Sequence, residues 1–473
     1  MLQFEFSDKI GGRLHRRQWL CCGALGGLAT LTRQTLGSEK SRAKRGFGKA
    51  KSVLLLYASG GQSHIDMWDP KPRAADQIRG QFSSISTSVP GVSFTEHMPQ
   101  IAKIADRWTV VRSMSHKDLD HGSAGYLALT GRYYPRLSSN PPVRPTDYPT
   151  MGAVLQRLRR SGRFPYDAIH LNGPLLSPIE IGIGQNGGFL GRKVEPLVIG
   201  EIGRQPIAIS GLSTQPQLPT VRLKRRLSLK SALDGFEQRL AKNQRATELN
   251  IQYKQALQML GSARCRKAFD MSEESPQTRD QYGRNRTGQA CLLARRLVQA
   301  EVPFVNVFLS HTIRGQDVFP GVTDQYGWDT HNDIFVALQK HLLPRFDQAV
   351  TALILDLEKR GLLDQTLVIC MGEFGRAPQV KKERSFAGNL PGRKHWAEVY
   401  SIAMAGAGIK RGTVIGKSDR LGGSPLTKPF GPWDVVATIF HSLGINPAAH
   451  FRDELDRPFP VSIGKPMLAV YGP

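Results

Sequence analysis

Four short stretches of this chain, with a fifth that complements the last of them, gather imidazole and carboxylate side chains at spacings suited to holding a cation. Gly60-Gly61-Gln62-Ser63-His64-Ile65-Asp66-Met67-Trp68-Asp69-Pro70 sets His64 and Asp66 two apart, so an extended segment points both the same way. His116 through Ser123 carries two histidines, His116 and His121, and two aspartates, Asp118 and Asp120. Gly327-Trp328-Asp329-Thr330-His331-Asn332 again separates an aspartate and a histidine by one residue. Met371-Gly372-Glu373-Phe374-Gly375-Arg376 offers Glu373, and Gly392-Arg393-Lys394-His395-Trp396 adds His395. Any one of these residues serves equally as a hydrogen-bonded loop anchor or a core histidine. Their joint recurrence points to one cleft and a divalent ion. Mixed nitrogen and oxygen donors suit zinc, manganese or iron, whereas oxygen-only sets suit magnesium or calcium. The expected metal set is Asp329, His331, Glu373 and His395, with His121 and Asp66 as further ligands. Two adjacent ions would stabilise the attacking and leaving oxygens of a phosphoryl or sulfuryl transfer.

Such residues need a scaffold that brings distant loops to one edge. Ser52-Val53-Leu54-Leu55-Leu56-Tyr57 is a continuous apolar run, as in a buried parallel strand, and Ser59-Gly60-Gly61 turns the chain after it. Trp108–Ser113, Val302–Leu309, Thr366–Cys370 and Tyr400–Ala405 read as further strands. Helical patterns fill 97–106, 287–300, 335–360 (stopped by Gly361) and 434–443, the last closing the chain. Asp120 through Gly131 reads as a loop that becomes a helix, with Gly131 as its stop; its exposed N–H groups could hold an anion. Strands alternating with helices predict an α/β fold with a mainly parallel central sheet and helices on both faces. Loops that leave such strands collect at one sheet edge. The expected domain spans 46–473. Residues 205–285, rich in charge and Gln, read as a helical insertion or cap.

The length of 473 residues suits one large α/β domain, and 40% hydrophobic with 22% charged residues is an ordinary globular balance. The net charge of +25 favours anionic partners; nine Lys/Arg and three Asp/Glu in the first 45 residues leave about +19 beyond them. Runs such as Arg157-Leu158-Arg159-Arg160 and Arg222-Leu223-Lys224-Arg225-Arg226 carry much of it, as a solvated basic surface or as an attraction for a sulfated or phosphorylated polymer. No nucleic-acid module is legible. His15-Arg16-Arg17-Gln18-Trp19-Leu20 followed by the apolar run Cys21–Leu31 reads as a twin-arginine export signal, with 1–45 as signal and linker. That run is short for a permanent span, Cys21 and Cys22 form no lipoprotein box, and no other segment reads as transmembrane. The expected location is periplasmic or secreted, with the export machinery as a partner. Only Cys265, Cys291 and Cys370 follow the signal, which excludes a disulfide scaffold and a Cys-x-x-Cys site; Cys370 reads as a core residue.

The segment ending Leu129-Thr130-Gly131-Arg132 resembles the nucleophile helix of the alkaline phosphatase–sulfatase superfamily, with His121 where sulfatases carry their nucleophilic Cys. That difference implies that formylglycine chemistry is absent. Thr366–Gly375 resembles the superfamily strand ending in Ser-Asp-His-Gly, with Glu373 at the metal-binding Asp position and Phe374 in place of the His. Asp329-Thr330-His331 is similar to a metal-binding Asp and His pair of alkaline phosphatases and phosphoglycerate mutases, and His395 to the late metal-binding His. Asp434–Ile445 resembles the sulfatase helix ending in Leu-Gly-Ile; Ser59-Gly60 departs from the sulfatase Asp-Asp. Four marks stand together between residues 60 and 396: Gly-Gly-x-Ser-x-x-Asp, Trp-Asp-Thr-His, Gly-Glu-Phe-Gly-Arg and Gly-Arg-x-His-Trp. By these the chain is identified as a member of a twin-arginine-exported, sulfatase-like branch of unknown function.

The resemblance implies an alkaline-phosphatase-like three-layer fold and three functional readings. The first is a secreted metal-dependent hydrolase of sulfate or phosphate esters, with Ser123 or a metal-bound water attacking and His121 as ligand or general base. The second is a non-catalytic binder of anions or sulfated glycans. The third is a transferase of phosphate-containing head groups.

Overall fold

The computed structural model describes residues 45–136, 138, 141–177, 180–202, 259, 262–310, 312–314 and 326–472. The twin-arginine segment and most of the expected insertion lie outside these residues. Of 205–285, the described part forms short helices at Ala263–Phe269 and Pro276–Tyr282.

Eight strands build the central sheet: β1 Ser52–Tyr57, β2 Thr109–Met114, β3 Ala168–Leu171, β4 Leu197–Ile199, β5 Phe304–Phe308, β6 Thr366–Met371, β7 Tyr400–Ala405 and β8 Thr413–Ile415. Their order is β8-β2-β7-β6-β1-β5-β3-β4. Every pairing is parallel except those of β7, which runs antiparallel to both β2 and β6. β1 and β6 are buried at all six positions each, which is why they read as unbroken apolar runs.

Alternate residues of β1 feed two separate cores. Leu54 and Leu56 pack with α3 (Arg286–Gln299) and α4 (Leu343–Lys359), while Val53, Leu55 and Tyr57 pack with α1 (His121–Thr130), α2 (Met151–Leu158) and α5 (Pro432–Ser442). The fold is therefore a three-layer α/β sandwich with a mostly parallel sheet, as the alternation of patterns predicts. The short helices before α3 join the α3–α4 layer through Cys265, Phe269 and Tyr282.

α1 stops where expected: Gly131 adopts φ 72° and its N–H bonds Leu127 O, a left-handed turn that glycine enters without a Cβ penalty. α4 is preceded by a helical turn at Ile334–Val336 and a π-helical turn at Ala337–Leu342, so the single helix read over 335–360 is interrupted near its start. The chain does not close on α5. An antiparallel ribbon, His450–Arg452 with Pro458–Pro460, and a 3-10 turn at Leu468–Val470 follow it. β3, β4, β8 and α2 carry too short or too mixed a pattern to stand out in the sequence.

The topology explains where the ligand-type residues go. β1, β2 and β6 run the same way, so the loops after Tyr57, Met114 and Met371 leave from one edge. β7 runs the opposite way and begins at that same edge, with Tyr400 opposite Met114. The residues just before β7, His395 among them, are thereby delivered to the strand exits.

Candidate metal centre

One carboxylate oxygen organises the site. Asp329 Oδ1 lies 3.1 Å from His121 Nε2, 3.1 Å from His331 Nε2 and 3.2 Å from His395 Nε2. His331 Nε2 and His395 Nε2 are themselves 2.8 Å apart. One donor atom from each of the four residues lies within 4.8 Å of all the others. A tetrahedral ion with ligands at about 2.0–2.1 Å holds its donor atoms roughly 3.3 Å apart, close to these separations. The Asp329 side chain is 3% exposed and that of His395, the most open of the four, 19%.

Two of the imidazoles are fixed by their other nitrogen and the third by stacking. His121 opens α1, and its Nδ1 donates to Glu373 Oε1 at 2.6 Å. Glu373 Oε1 also accepts the Gly60 N–H at 2.8 Å, tying the β1 and β6 loops together. His395 sits in a two-residue strand, His395–Trp396, paired with Gly375–Arg376. Its Nδ1 donates to Leu119 O at 2.6 Å; a carbonyl only accepts, so this nitrogen carries the hydrogen. His331 stacks flat on Phe386, with ring centroids 3.6 Å apart and planes 8° apart.

These anchors leave a conflict that a cation resolves. In neutral His121 and His395 the Nδ1 atoms keep the hydrogens, so the Nε2 lone pairs converge on an anionic oxygen. His121 Nε2 makes no hydrogen bond of good geometry and is buried. Without an ion, a proton fills the role. Burial pushes His121 down, but the charges of Asp329 and Glu373 outweigh it and raise His121 to about 9. Burial holds His395 at about 3 and keeps His331 below its usual value, despite their hydrogen bonds to Asp329. Burial alone would raise Asp329, yet the charges of His121 and Arg376 hold it well below the usual carboxylate range. Three imidazoles and a carboxylate are a donor set that zinc-type ions accept.

Arg376 supports this centre without entering it. Its Nη2 lies 2.8 Å from Asp329 Oδ1 and also meets the carbonyls of Gly60 and Trp328, while Nε and Nη1 donate to those of Gly61 and Arg393. One buried guanidinium thus pins three other parts of the chain to its own strand.

The other expected residues are distributed around the cluster. Glu373 stands behind His121 rather than among the four, with Oε2 buried and without a hydrogen-bond partner. Burial and the Glu373 charge raise the neighbouring Tyr57 hydroxyl well above its ordinary value. Asp66 is not brought to the cluster. Arg393 grips it with Nε at 2.7 Å and Nη2 at 3.0 Å, and Ser63 Oγ donates to it at 2.5 Å. A guanidinium therefore occupies the lone pairs that the sequence reading offered to a metal. Ser123 is fully buried and its hydroxyl donates to Asp118 Oδ1 at 2.9 Å, so it is engaged within its own loop rather than directed at the four residues. His116 is an anchor: Nε2 donates to Glu373 O at 2.6 Å and Nδ1 accepts from Asp118 N–H at 3.1 Å. Burial lowers it to about 4. His64 likewise donates to Gly422 O at 2.8 Å. Sequence reasoning overlooked Arg376, Arg393 and Phe386. The first two stand inside the quoted Gly-Arg motifs, and their type alone could have marked them as partners for buried carboxylates.

Residues 50–470 match the family model described as "Protein of unknown function (DUF1501)". No curated protein matches the chain in sequence. Similar solved structures include a sulfatase from Pseudoalteromonas sp., at 14% identity and TM-score 0.37, covering 86% of this chain and 70% of that one. A phosphonate monoester hydrolase from Silicibacter pomeroyi is similar at 12% identity and TM-score 0.40, covering 89% and 77%. The lipoteichoic acid synthase LtaP from Listeria monocytogenes is similar at 10% identity and TM-score 0.34, covering 85% and 74%. Likenesses this distant carry no information on chemistry.

Proposed function

Because the chain belongs to the DUF1501 family of unknown function, its chemistry rests on its own site, and we propose that it is a metal-dependent hydrolase of sulfate or phosphate esters. The observation that carries this reading is the convergence of three imidazole Nε2 atoms on Asp329 Oδ1 at 3.1–3.2 Å. His121, His331, His395 and Asp329 would hold one divalent ion of the zinc, manganese or iron type. When bound, that ion supplies Lewis acidity toward an ester oxygen and a more acidic water.

The chain's own residues do the rest. Glu373 orients His121 through Nδ1 and raises its basicity, as carboxylates behind metal-binding histidines do. Arg376 fixes the carboxylate plane of Asp329. Ser123, held by Asp118, shapes the start of α1. The net charge of +25 draws anionic esters toward the protein. The twin-arginine pair Arg16-Arg17 remains our proposal for export to the periplasm or beyond. Among the described residues, no helix is long and apolar enough to cross a membrane.

The test is elemental analysis of the full chain with assays on para-nitrophenyl sulfate and phosphate. About one bound ion per chain and hydrolysis of one ester are expected, both lost in His331→Ala. Stoichiometric metal without hydrolysis of either ester would favour the non-catalytic binder. Absence of stoichiometric metal after loading with zinc, manganese or iron would overturn the centre itself.

A further inference from the structure

A pocket of about 360 Å³ adjoins the four-residue cluster, and Asp329 forms part of its wall. Arg314, Tyr326, Asn332, Asp333 and the stretch 385–388 complete the lining. The volume lies at the lower end of the range for small-molecule sites, about 300–1,000 Å³, which limits the occupant to roughly one ring and its ester group.

The polar groups of one wall are committed to holding it together. Asn332 Nδ2 donates to the carbonyls of Glu383, Phe386 and Ala387, and Oδ1 accepts the Glu383 N–H. The Asp333 carboxylate accepts the N–H groups of Asn389 and Leu390. Two adjacent side chains therefore bind the strap 383–390 into a fixed wall. Phe386 joins that wall to the cluster, since its ring lies flat on His331. Among the described residues, the lining offers a ligand two aromatic rings, Phe386 and Tyr326, and one exposed cation, Arg314. Arg314 has no ion pair among the described residues, whereas Asp329 is already matched by Arg376.

Aromatic faces with a single guanidinium beside a metal-type centre suit one class of molecule. We propose that this pocket binds an anionic ester of a single sugar-sized ring, with Arg314 pairing the ester oxygens and the Phe386 and Tyr326 rings meeting the apolar face of the ring. A planar guanidinium matches sulfate and phosphate oxygens two at a time, which a lysine cannot do. The proposal names the substrate class for the hydrolase reading and rests on it for turnover, but not for binding.

Isothermal titration of the zinc-loaded full chain tests it with four probes: inorganic sulfate, inorganic phosphate, glucose 6-sulfate and glucose 6-phosphate. At least one sugar ester is expected to bind tenfold or more tightly than its matching inorganic anion. The sulfate and phosphate arms show which ester the site prefers. Arg314→Ala should weaken the sugar ester at least tenfold with metal content unchanged, and Arg314→Lys should recover only part of that loss. Phe386→Leu should weaken the sugar ester while leaving the inorganic anion within about twofold. Equal affinity of Arg314→Ala and the parent protein, or of sugar ester and inorganic anion, overturns the proposal, as does a parent protein that binds no sugar ester. Tight binding without hydrolysis overturns the hydrolase reading and leaves the pocket assignment standing.

Discussion

Asp66 and Asp329 occupy loops that look alike in sequence, each beginning near a Gly and each two residues from a histidine, yet they meet different partners. Asp66 is gripped through two nitrogens by Arg393, both side chains are fully buried, and Arg393 spends its other donors on the carbonyls of Ala377, Pro378 and Ile78. That pair is closed: each charge has its counter-charge and its hydrogen bonds. Asp329 also meets a guanidinium, Arg376, but on the same oxygen it faces three imidazoles, among which His121 Nε2 and His331 Nδ1 are buried without a hydrogen-bond partner. Arginine carries its charge across the whole working pH range, whereas imidazole can give up a proton and present a lone pair. The first arrangement is a staple. The second is a receptor for a cation.

The largest expected effect tests the staple. Arg393→Met leaves Asp66 charged and buried without its partner, so stability should fall by about 3–5 kcal/mol in urea unfolding. A loss under about 1 kcal/mol would mean the pair is not what holds the loop. Replacing both partners with apolar residues of similar size should recover much of the loss, because no uncompensated charge then remains.

The next effect separates the two regions by pH. In protein stripped of metal, His121 is raised from 6.5 to about 9, so the folded state keeps a proton that the unfolded chain releases near 6.5. Its stabilisation is complete below pH 6.5 and is lost as pH rises through about 9. The change is on the order of 3 kcal/mol, at about 1.4 kcal/mol per pKa unit. Urea titrations at pH 6 and pH 9.5 read it, and in His121→Gln the loss over that window should disappear. A parent protein equally stable at both values would contradict the charged-imidazole picture.

A smaller effect sharpens the receptor. Glu373→Gln keeps an acceptor for Gly60 N–H but removes the charge behind His121, so metal affinity should fall tenfold to a hundredfold in competition with a chelator. Unchanged affinity would show that His121 needs no carboxylate behind it. The smallest effect concerns Ser123. Removing its hydroxyl leaves Asp118 Oδ1 with the Asp120 N–H as partner, so Ser123→Ala should cost about 1 kcal/mol of stability and leave metal content unaltered. Loss of the metal in that variant would place Ser123 closer to the centre than its hydrogen bond to Asp118 implies.

Much of the scaffold was legible from local pattern. The apolar runs at 52–57 and 366–370 read as strands buried on both faces, and Gly131 and Gly361 as helix stops, which the structure matches with both glycines in the left-handed region. Asp329, His331, His395 and His121 were legible as ligand types because loops after parallel strands share an edge. What local pattern could not show was the direction of β7. Only its antiparallel pairing with β2 and β6 carries His395 to the strand exits, and the pairing with β2 joins residues nearly three hundred positions apart. Nor could spacing separate Asp66 from Asp329, since each sits two residues from a histidine and their fates turn on Arg393 and on the imidazoles of distant loops. The short strands β3 and β4 stayed hidden because three or four residues carry too little periodicity to read.

The sequence by itself therefore determined the layers, the helix stops and the pool of nitrogen and oxygen ligands, because these follow from side-chain period and backbone freedom within a few residues. Tertiary structure alone decided which carboxylate became a staple and which a receptor, because a buried charge takes its role from whichever counter-charge the folded chain places against it, and that neighbour comes from far along the chain.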